Sequence, residues 1–262
     1  MAGHLATLRD CNGPAIVYLH PASGIATHYR RLAPLLPPAR KLLAFENIEL
    51  SGPPPSIETF AAEYWAVLRD AVAGPIDFVG WSFGGTVALE LATLAQEDGL
   101  AVSSVILLDA GAPQVMRSAP SLPLQDLAGL FGIQPDELPA EAAPTTPDAM
   151  LALVADLMRR TRGMDTIESA DLQPFVEAYR WHHQVARRPW TFRGRDLAVH
   201  LVRARDERCW DGLPADLGWS AVLGTPPVAW WTPGSHHDLA SEVHAPALAD
   251  VLATILAGAG AE

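Results

Sequence analysis

One stretch, Gly80-Trp81-Ser82-Phe83-Gly84-Gly85, constrains what this chain can fold into more than any other. The apolar run Pro75-Ile76-Asp77-Phe78-Val79 leads into it, and the helix-like run Thr86–Leu94 leads out. Gly-x-Ser-x-Gly between a strand and a helix reads as a nucleophile elbow, a sharp turn that pushes the serine outward. Ser82 is expected in a strained backbone conformation, and only small neighbours let strand and helix close beneath it. Gly80 and Gly84 supply that room, and Gly85 lets the helix approach the sheet. The helix N-terminus behind Ser82 favours a developing anion there. The pattern alone also suits a glycine turn whose serine caps a helix. The preceding strand, the following helix and Gly85 favour the nucleophile.

The rest of the chain supplies the sheet. Ala15-Ile16-Val17-Tyr18-Leu19-His20 reads as a buried strand, followed by the loop His20-Pro21-Ala22-Ser23-Gly24. Lys41–Phe45 is a second strand, and Ser51-Gly52-Pro53-Pro54-Pro55 breaks the chain. From Ser56, apolar positions 57, 60, 61, 64, 68, 71 and 72 keep helical spacing until Gly74-Pro75, with Glu58 in the first turn. The elbow helix should run to about Gln96, and Val102–Leu108 is another buried strand ending at Asp109. The order β-β-α-β-α-β indicates an α/β fold, a mostly parallel sheet covered by helices on both faces.

From Gly111 to about Gly194 the character changes. Pro113, Pro120, Pro123, Pro135, Pro139, Pro144 and Pro147 interrupt the chain, with helical patterns at about Leu124–Phe131, Pro147–Arg162 and Ala170–Arg187. Residues 111–194 are expected to be a helical lid inserted into a core made of residues 1–110 and 195–262, with Pro/Gly joints that hinge. Phe131, Met158, Met164, Phe175, Tyr179, Trp181 and Trp190 would either line a pocket or glue helices to the sheet. Strands resume at 197–202 and 228–231, and a helix at about Pro246–Leu256 closes the chain.

Bulk properties exclude several classes. The chain has 262 residues, 49% of them hydrophobic, enough for one large α/β domain. A formal net charge of −12 argues against nonspecific nucleic-acid binding. Cys11 and Cys209 form no CxxC pair, which points away from a disulfide framework or a metal site and fits a reducing cytoplasm. There is no charged-then-apolar leader, and no run approaches the roughly 18 to 20 apolar residues of a membrane helix. The expectation is a cytoplasmic protein without a membrane partner.

A serine hydroxyl needs a base, and the base needs a carboxylate to hold its tautomer. After a nucleophile elbow the chain order is serine, acid, histidine. His236 follows the last strand in Pro233-Gly234-Ser235-His236-His237-Asp238 and is the favoured base, with His237 its rival. Asp109 comes directly off a buried strand and is the favoured acid. Asp206 is the alternative acid, after the strand at 197–202 but within the charged run Arg203–Arg208. The oxyanion donors should be the backbone N–H of Phe83 and one from the loop after the first strand. Ala22 is the choice there, because Pro21 has no N–H. His20 reads as a structural residue at the mouth of the site.

His20-Pro21-Ala22-Ser23-Gly24 with Tyr29, then Gly80–Gly85, Leu107-Leu108-Asp109 and Gly234-Ser235-His236, together resemble the thioesterase domains of nonribosomal peptide and polyketide synthases. The match covers nearly the whole chain in the right order. The resemblance implies an α/β-hydrolase fold with lid helices between the acid-bearing strand and the later strands. It implies a serine that takes an acyl chain from the phosphopantetheine thiol of a carrier protein, and release by water or by an internal nucleophile as an acid or a macrocycle. No cofactor is expected to be bound. In that family terminal release domains place the acid where Asp109 lies, whereas free-standing editing (type II) thioesterases place it later, in a Gly-x-x-Asp-like loop. The Arg203–Arg208 run lacks that glycine, so the terminal type is favoured. The absence of a carrier motif ahead of the domain leaves an excised domain or a free-standing protein. His237-Asp238 departs from the family's aromatic and small polar residues. A generic carboxylesterase, or a carrier-binding domain without activity, are the competing readings. Arg30 and Arg31, or Arg187, Arg188, Arg193 and Arg195, are candidates for docking a carrier; a merely solvated face is the competing reading.

Overall fold

The computed structural model describes residues 4–117, 124–133, 137–139, 144, 146–207 and 210–258. Among them lie seven strands, β1 (His4–Arg9), β2 (Ala15–Leu19), β3 (Lys41–Glu46), β4 (Ile76–Trp81), β5 (Val102–Leu108), β6 (Val199–Ala204) and β7 (Val228–Thr232). They form one sheet in the order β1-β3-β2-β4-β5-β6-β7. All neighbours are parallel except β1, which runs antiparallel along β3. The helices are α1 (Tyr29–Leu32), α2 (Ile57–Leu68), α3 (Phe83–Glu97), α4 (Pro113–Arg117), α5 (Leu124–Leu130), α6 (Pro147–Arg162), α7 (Ser169–Ala186), α8 (Ser220–Leu223) and α9 (Ala245–Gly258).

Strand side chains alternate between faces, so each buried strand feeds two cores. Val17, Leu43, Phe78, Val105 and Leu107 face α2 and α3. Ile16, Tyr18, Leu42, Val79 and Ile106 face α1 and α9. Continuous apolar runs in β2, β4 and β5 are the signature of this double burial, and it is why they are legible as strands. β1 lacks such a run. It is a half-exposed edge strand, recognisable only from its pairing with β3. Arg9 fastens it by donating to Pro37 O at 2.7 Å.

Ser56 caps α2 by accepting the N–H of Thr59 at 3.2 Å. The helix ends at Leu68, four residues short of the last apolar position, Val72. Ala71 N–H turns back to Leu68 O at 2.8 Å, and Val72 still packs on the same core from the turn. Helical burial thus outlasts the helix, because Gly74-Pro75 cannot continue it.

Between β5 and β6 the described elements are all helical. α5, α6 and α7 share a separate small core of Leu127, Leu151, Val154, Met158, Leu172 and Val176. The far half of α7 joins the main core through Tyr179, Val185 and Ala186, followed by Trp190. Phe131 meets Phe175 edge to face at 5.8 Å, whereas Met164 is exposed. Most of these side chains therefore act as glue. Pro120, Pro123, Pro135, Arg208 and Cys209 lie outside the described residues. Among the described residues no helix is long and apolar enough to cross a membrane.

Candidate active site

The topology selects one end of the sheet. β2 is flanked by β3 on one side and β4 on the other, so the chain leaves β2 in one direction and returns on the opposite side. A crevice opens at the carboxyl ends of strands where such a reversal occurs. Leu19 pairs with Gly80 there, which brings the loop after β2 beside the elbow after β4.

At the elbow, Ser82 has φ 54° and ψ −120°, a strained conformation for a residue with a side chain. Its N–H donates to Leu108 O on β5 at 3.0 Å, and Gly85 N–H donates to Ser82 O at 2.9 Å. A Cβ at Gly84 would lie 2.6 Å from Leu19 O and 2.7 Å from His20 O. A Cβ at Gly80 would strike the backbone of Gly84. The glycines thus let α3 start directly under the β2 loop, as the sequence requires of an elbow.

Asp109 directly follows β5, again at positive φ, 44°. This turns its carboxylate across the ends of β5 and β6. Oδ2 lies 2.7 Å from His236 Nδ1 and accepts the Trp210 indole N–H at 2.7 Å. Oδ1 accepts Ala204 N–H at 3.1 Å. Asp109 is completely buried. Burial pushes its acidity down, but the hydrogen bonds and charge of His236, with Trp210 and Ala204, more than offset this and hold the carboxyl below its ordinary value.

His236 is held from three sides. Its N–H donates to Glu207 at 2.7 Å. Its carbonyl accepts the indole N–H of Trp81, the residue before Ser82, at 3.0 Å. Its ring meets Asp109. The loop that carries His236 is therefore fastened directly to the elbow. Asp206, the alternative acid, sits elsewhere. Its carboxylate accepts Gly234 N–H at 2.9 Å, and its own N–H donates to Gly234 O at 2.9 Å. It braces the loop that carries His236. His237 packs against α5, its ring where a Cβ on Gly129 would go.

The β2 loop makes a turn, with Gly24 N–H donating to Pro21 O at 3.0 Å. Ala22 is buried within it. Phe83 is the first residue of α3, so its N–H has no acceptor four residues back in the helix. His20 is buried with both ring nitrogens committed, Nδ1 to Pro21 O at 2.7 Å and Nε2 to Tyr64 Oη at 2.6 Å. This agrees with a structural place for it. His182 on α7 donates from Nδ1 to Ala22 O at 2.8 Å.

Four residues of this arrangement are invisible to motif reading: Trp210, Glu207, Tyr64 and His182. Tyr64 and His182 occupy buried helix positions and look like ordinary core. Glu207 lies within the charged stretch and Trp210 just after it, with no spacing rule to mark either. Only Glu207, next to Asp206, stood near a weighed candidate.

A mostly parallel sheet with a serine at this elbow and helices between β5 and β6 has the architecture of an α/β-hydrolase. The chain belongs to the thioesterase domain family, whose model matches residues 14–256. Among curated proteins it is 33% identical over 164 residues to an orsellinic acid synthase from Beauveria bassiana (strain ARSEF 2860). The match covers 58% of this chain but 7% of that relative's length. The solved NocB thioesterase domain from the nocardicin cluster superposes with a TM-score of 0.70 at 24% identity, covering 97% of this chain and 99% of that one. The type II thioesterase BorB from the borrelidin biosynthetic cluster superposes with 0.65 at 20% identity, covering 96% and 97%. The chain is thus similar in sequence to a part of a large synthase and shares its fold with a type II thioesterase.

Proposed function

We propose that the chain is a serine thioesterase that releases a peptide or polyketide acyl chain from the phosphopantetheine arm of a carrier protein in the cytoplasm. The observation that carries this is the 2.7 Å contact between Asp109 Oδ2 and His236 Nδ1 beside the Ser82 elbow. A carboxylate at Nδ1 fixes the proton there and leaves the Nε2 lone pair to act as base. His236 Nε2 takes the proton of Ser82 Oγ as Oγ attacks the thioester carbon. The N–H groups of Phe83 and Ala22 stabilise the oxyanion. Collapse breaks the C–S bond, and the His236 imidazolium protonates the leaving thiolate. Water or a nucleophile within the acyl chain then attacks the ester, giving acid or macrocycle. No bound cofactor or metal takes part. The helices of residues 111–194 serve as the lid of this site.

Asp206, bonded to Gly234, favours the release type over a type II editing enzyme with its acid later in the chain. Arg193 is an unsuitable docking residue, since its guanidinium lies 2.6 Å from buried Glu90. Arg30, Arg31, Arg187, Arg188 and Arg195 are exposed and suit an acidic carrier. The test is a synthetic acyl-pantetheine thioester and a fluorophosphonate probe. The wild type is expected to turn over the thioester and to be labelled at Ser82, with Ser82→Ala doing neither. Cleavage of simple esters with no action on pantetheine thioesters would establish a carboxylesterase instead. Arg30→Glu with Arg31→Glu should raise KM for carrier-bound substrate and leave the pantetheine thioester unaffected.

A further inference from the structure

The N–H of Ala22 can stabilise an oxyanion only if the Pro21–Ala22 peptide is held in one orientation, and the structure contains a device that does this. Pro21 O accepts two hydrogen bonds, from His20 Nδ1 at 2.7 Å and from Gly24 N–H at 3.0 Å. A carbonyl only accepts, so the His20 proton is on Nδ1. In neutral imidazole Nε2 is then an acceptor, and the Tyr64 hydroxyl, 2.6 Å away, must donate to it. The Asn47 backbone N–H donates to Gly24 O at 2.9 Å and braces the same loop.

These bonds point one way: Tyr64 O–H to His20 Nε2, His20 Nδ1–H to Pro21 O. Across a trans peptide the N–H of Ala22 points opposite the Pro21 carbonyl. Holding the carbonyl therefore aims the N–H, and donation to the carbonyl oxygen polarises that N–H. His182 secures the next carbonyl from the other side, donating to Ala22 O at 2.8 Å, with its ring 4.7 Å from that of His20. All four side chains, Asn47, Tyr64, His20 and His182, are buried.

We propose that His20 is a positioning residue for the oxyanion donor Ala22, that Tyr64 sets its tautomer, and that His182 on the lid helix α7 holds the following peptide. The inference rests on the assignment of Ala22 as an oxyanion donor. It adds buried groups that touch no substrate but set how well the transition state is held. Burial keeps His20 neutral, its pKa lowered to about 4, so the donor and acceptor roles of the ring do not scramble near neutral pH.

The test compares His20→Phe, His20→Asn and Tyr64→Phe, reading kcat, KM, fluorophosphonate labelling and thermal midpoint. Asn carries a donor at the place of Nδ1; Phe fills the volume with none. Losing one oxyanion donor lowers kcat by about 10²–10³, and loss of aim should cost less. His20→Phe is expected to lower kcat by about 10- to 100-fold with KM within about twofold. His20→Asn, smaller and therefore less stable, should nevertheless keep more of the kcat than His20→Phe. Tyr64→Phe, which frees the tautomer, should fall between His20→Phe and wild type. If kcat instead follows the thermal midpoint across the series, or if the folded variants turn over and label like wild type, the inference is overturned while the serine mechanism stands. A wild type that neither labels nor turns over overturns both.

Discussion

Asp109 shows how much a single residue's surroundings decide. Two aspartates end up near the loop of His236, and only one touches the imidazole. Replacing Asp109 by Asn should leave the fold intact but lower kcat on the order of 10⁴-fold, because the amide favours the wrong tautomer of His236. Asp206→Asn should keep kcat within about threefold, since an amide oxygen still accepts from Gly234. Steady-state kinetics on one pantetheine thioester check both, and an equal loss in the two variants would count against the assignment. Trp210→Phe removes one of the three donors on a buried carboxylate. A stability loss of about 1–3 kcal/mol is expected, together with a fall in kcat, read by urea unfolding and the same assay. At Gly84, a methyl would meet the carbonyls of Leu19 and His20. Gly84→Ala should cost about 1–3 kcal/mol through overpacking and slow labelling of Ser82, because the loop carrying Ala22 is what must move.

At the scale of elements, α3 connects the Ser82 elbow to the segment that follows α7. Glu90 on α3 is buried and accepts the Trp190 indole N–H at 2.8 Å and the Arg193 guanidinium at 2.6 Å. Burial raises its pKa, only partly offset by Trp190 and then Arg193. Arg193 is half exposed, so solvent screens its share. Arg193→Ala should destabilise by about 1–2 kcal/mol, measured by urea unfolding, with little change in KM for a pantetheine thioester. A change in KM for carrier-bound substrate alone would restore Arg193 as a docking residue. The elements themselves were readable to different degrees. β2, β4 and β5 carry continuous apolar runs because both faces are buried, and α6 and α7 carry clear helical periods. β1 was not readable, because an edge strand with one wet face has a weak pattern in so short a segment. The end of α2 was misplaced because burial continued through a turn.

The whole molecule should be acid-sensitive in a defined window. Burial lowers the pKa of His20 to about 4 and, with help from Arg31 and His237, that of His28 to about 4. Burial and the neighbouring His20 lower His182 well below its ordinary value. Unfolded histidines titrate near 6.5. Between pH 6.5 and 4 the unfolded chain therefore binds more protons than the folded one, so stability falls as pH falls. His20 alone accounts for about 3 kcal/mol over that span as an upper bound. Asp109, held below its ordinary value, adds a loss in the same direction at still lower pH. Urea midpoints at pH 7, 5.5 and 4.5 should decline, and His20→Phe should flatten the decline. A profile that is level across this range would contradict the neutral, buried state of these rings.

The linear chain determined whatever depends on local shape and burial: the elbow with its glycines, the alternation of strands and helices, and the candidacy of Ser82, His236 and Ala22. Those follow from sterics and hydrophobic patterning, which neighbours in sequence express. Only the tertiary structure decided which aspartate meets the imidazole, and that Trp210, Tyr64, Asn47 and His182 gather around the site. Hydrogen-bond partners are set by the directions of chain ends brought together from β3, β5, β7, α2 and α7. A turn of backbone such as the positive φ of Asp109 redirects a carboxylate by more than any pattern of residue types records.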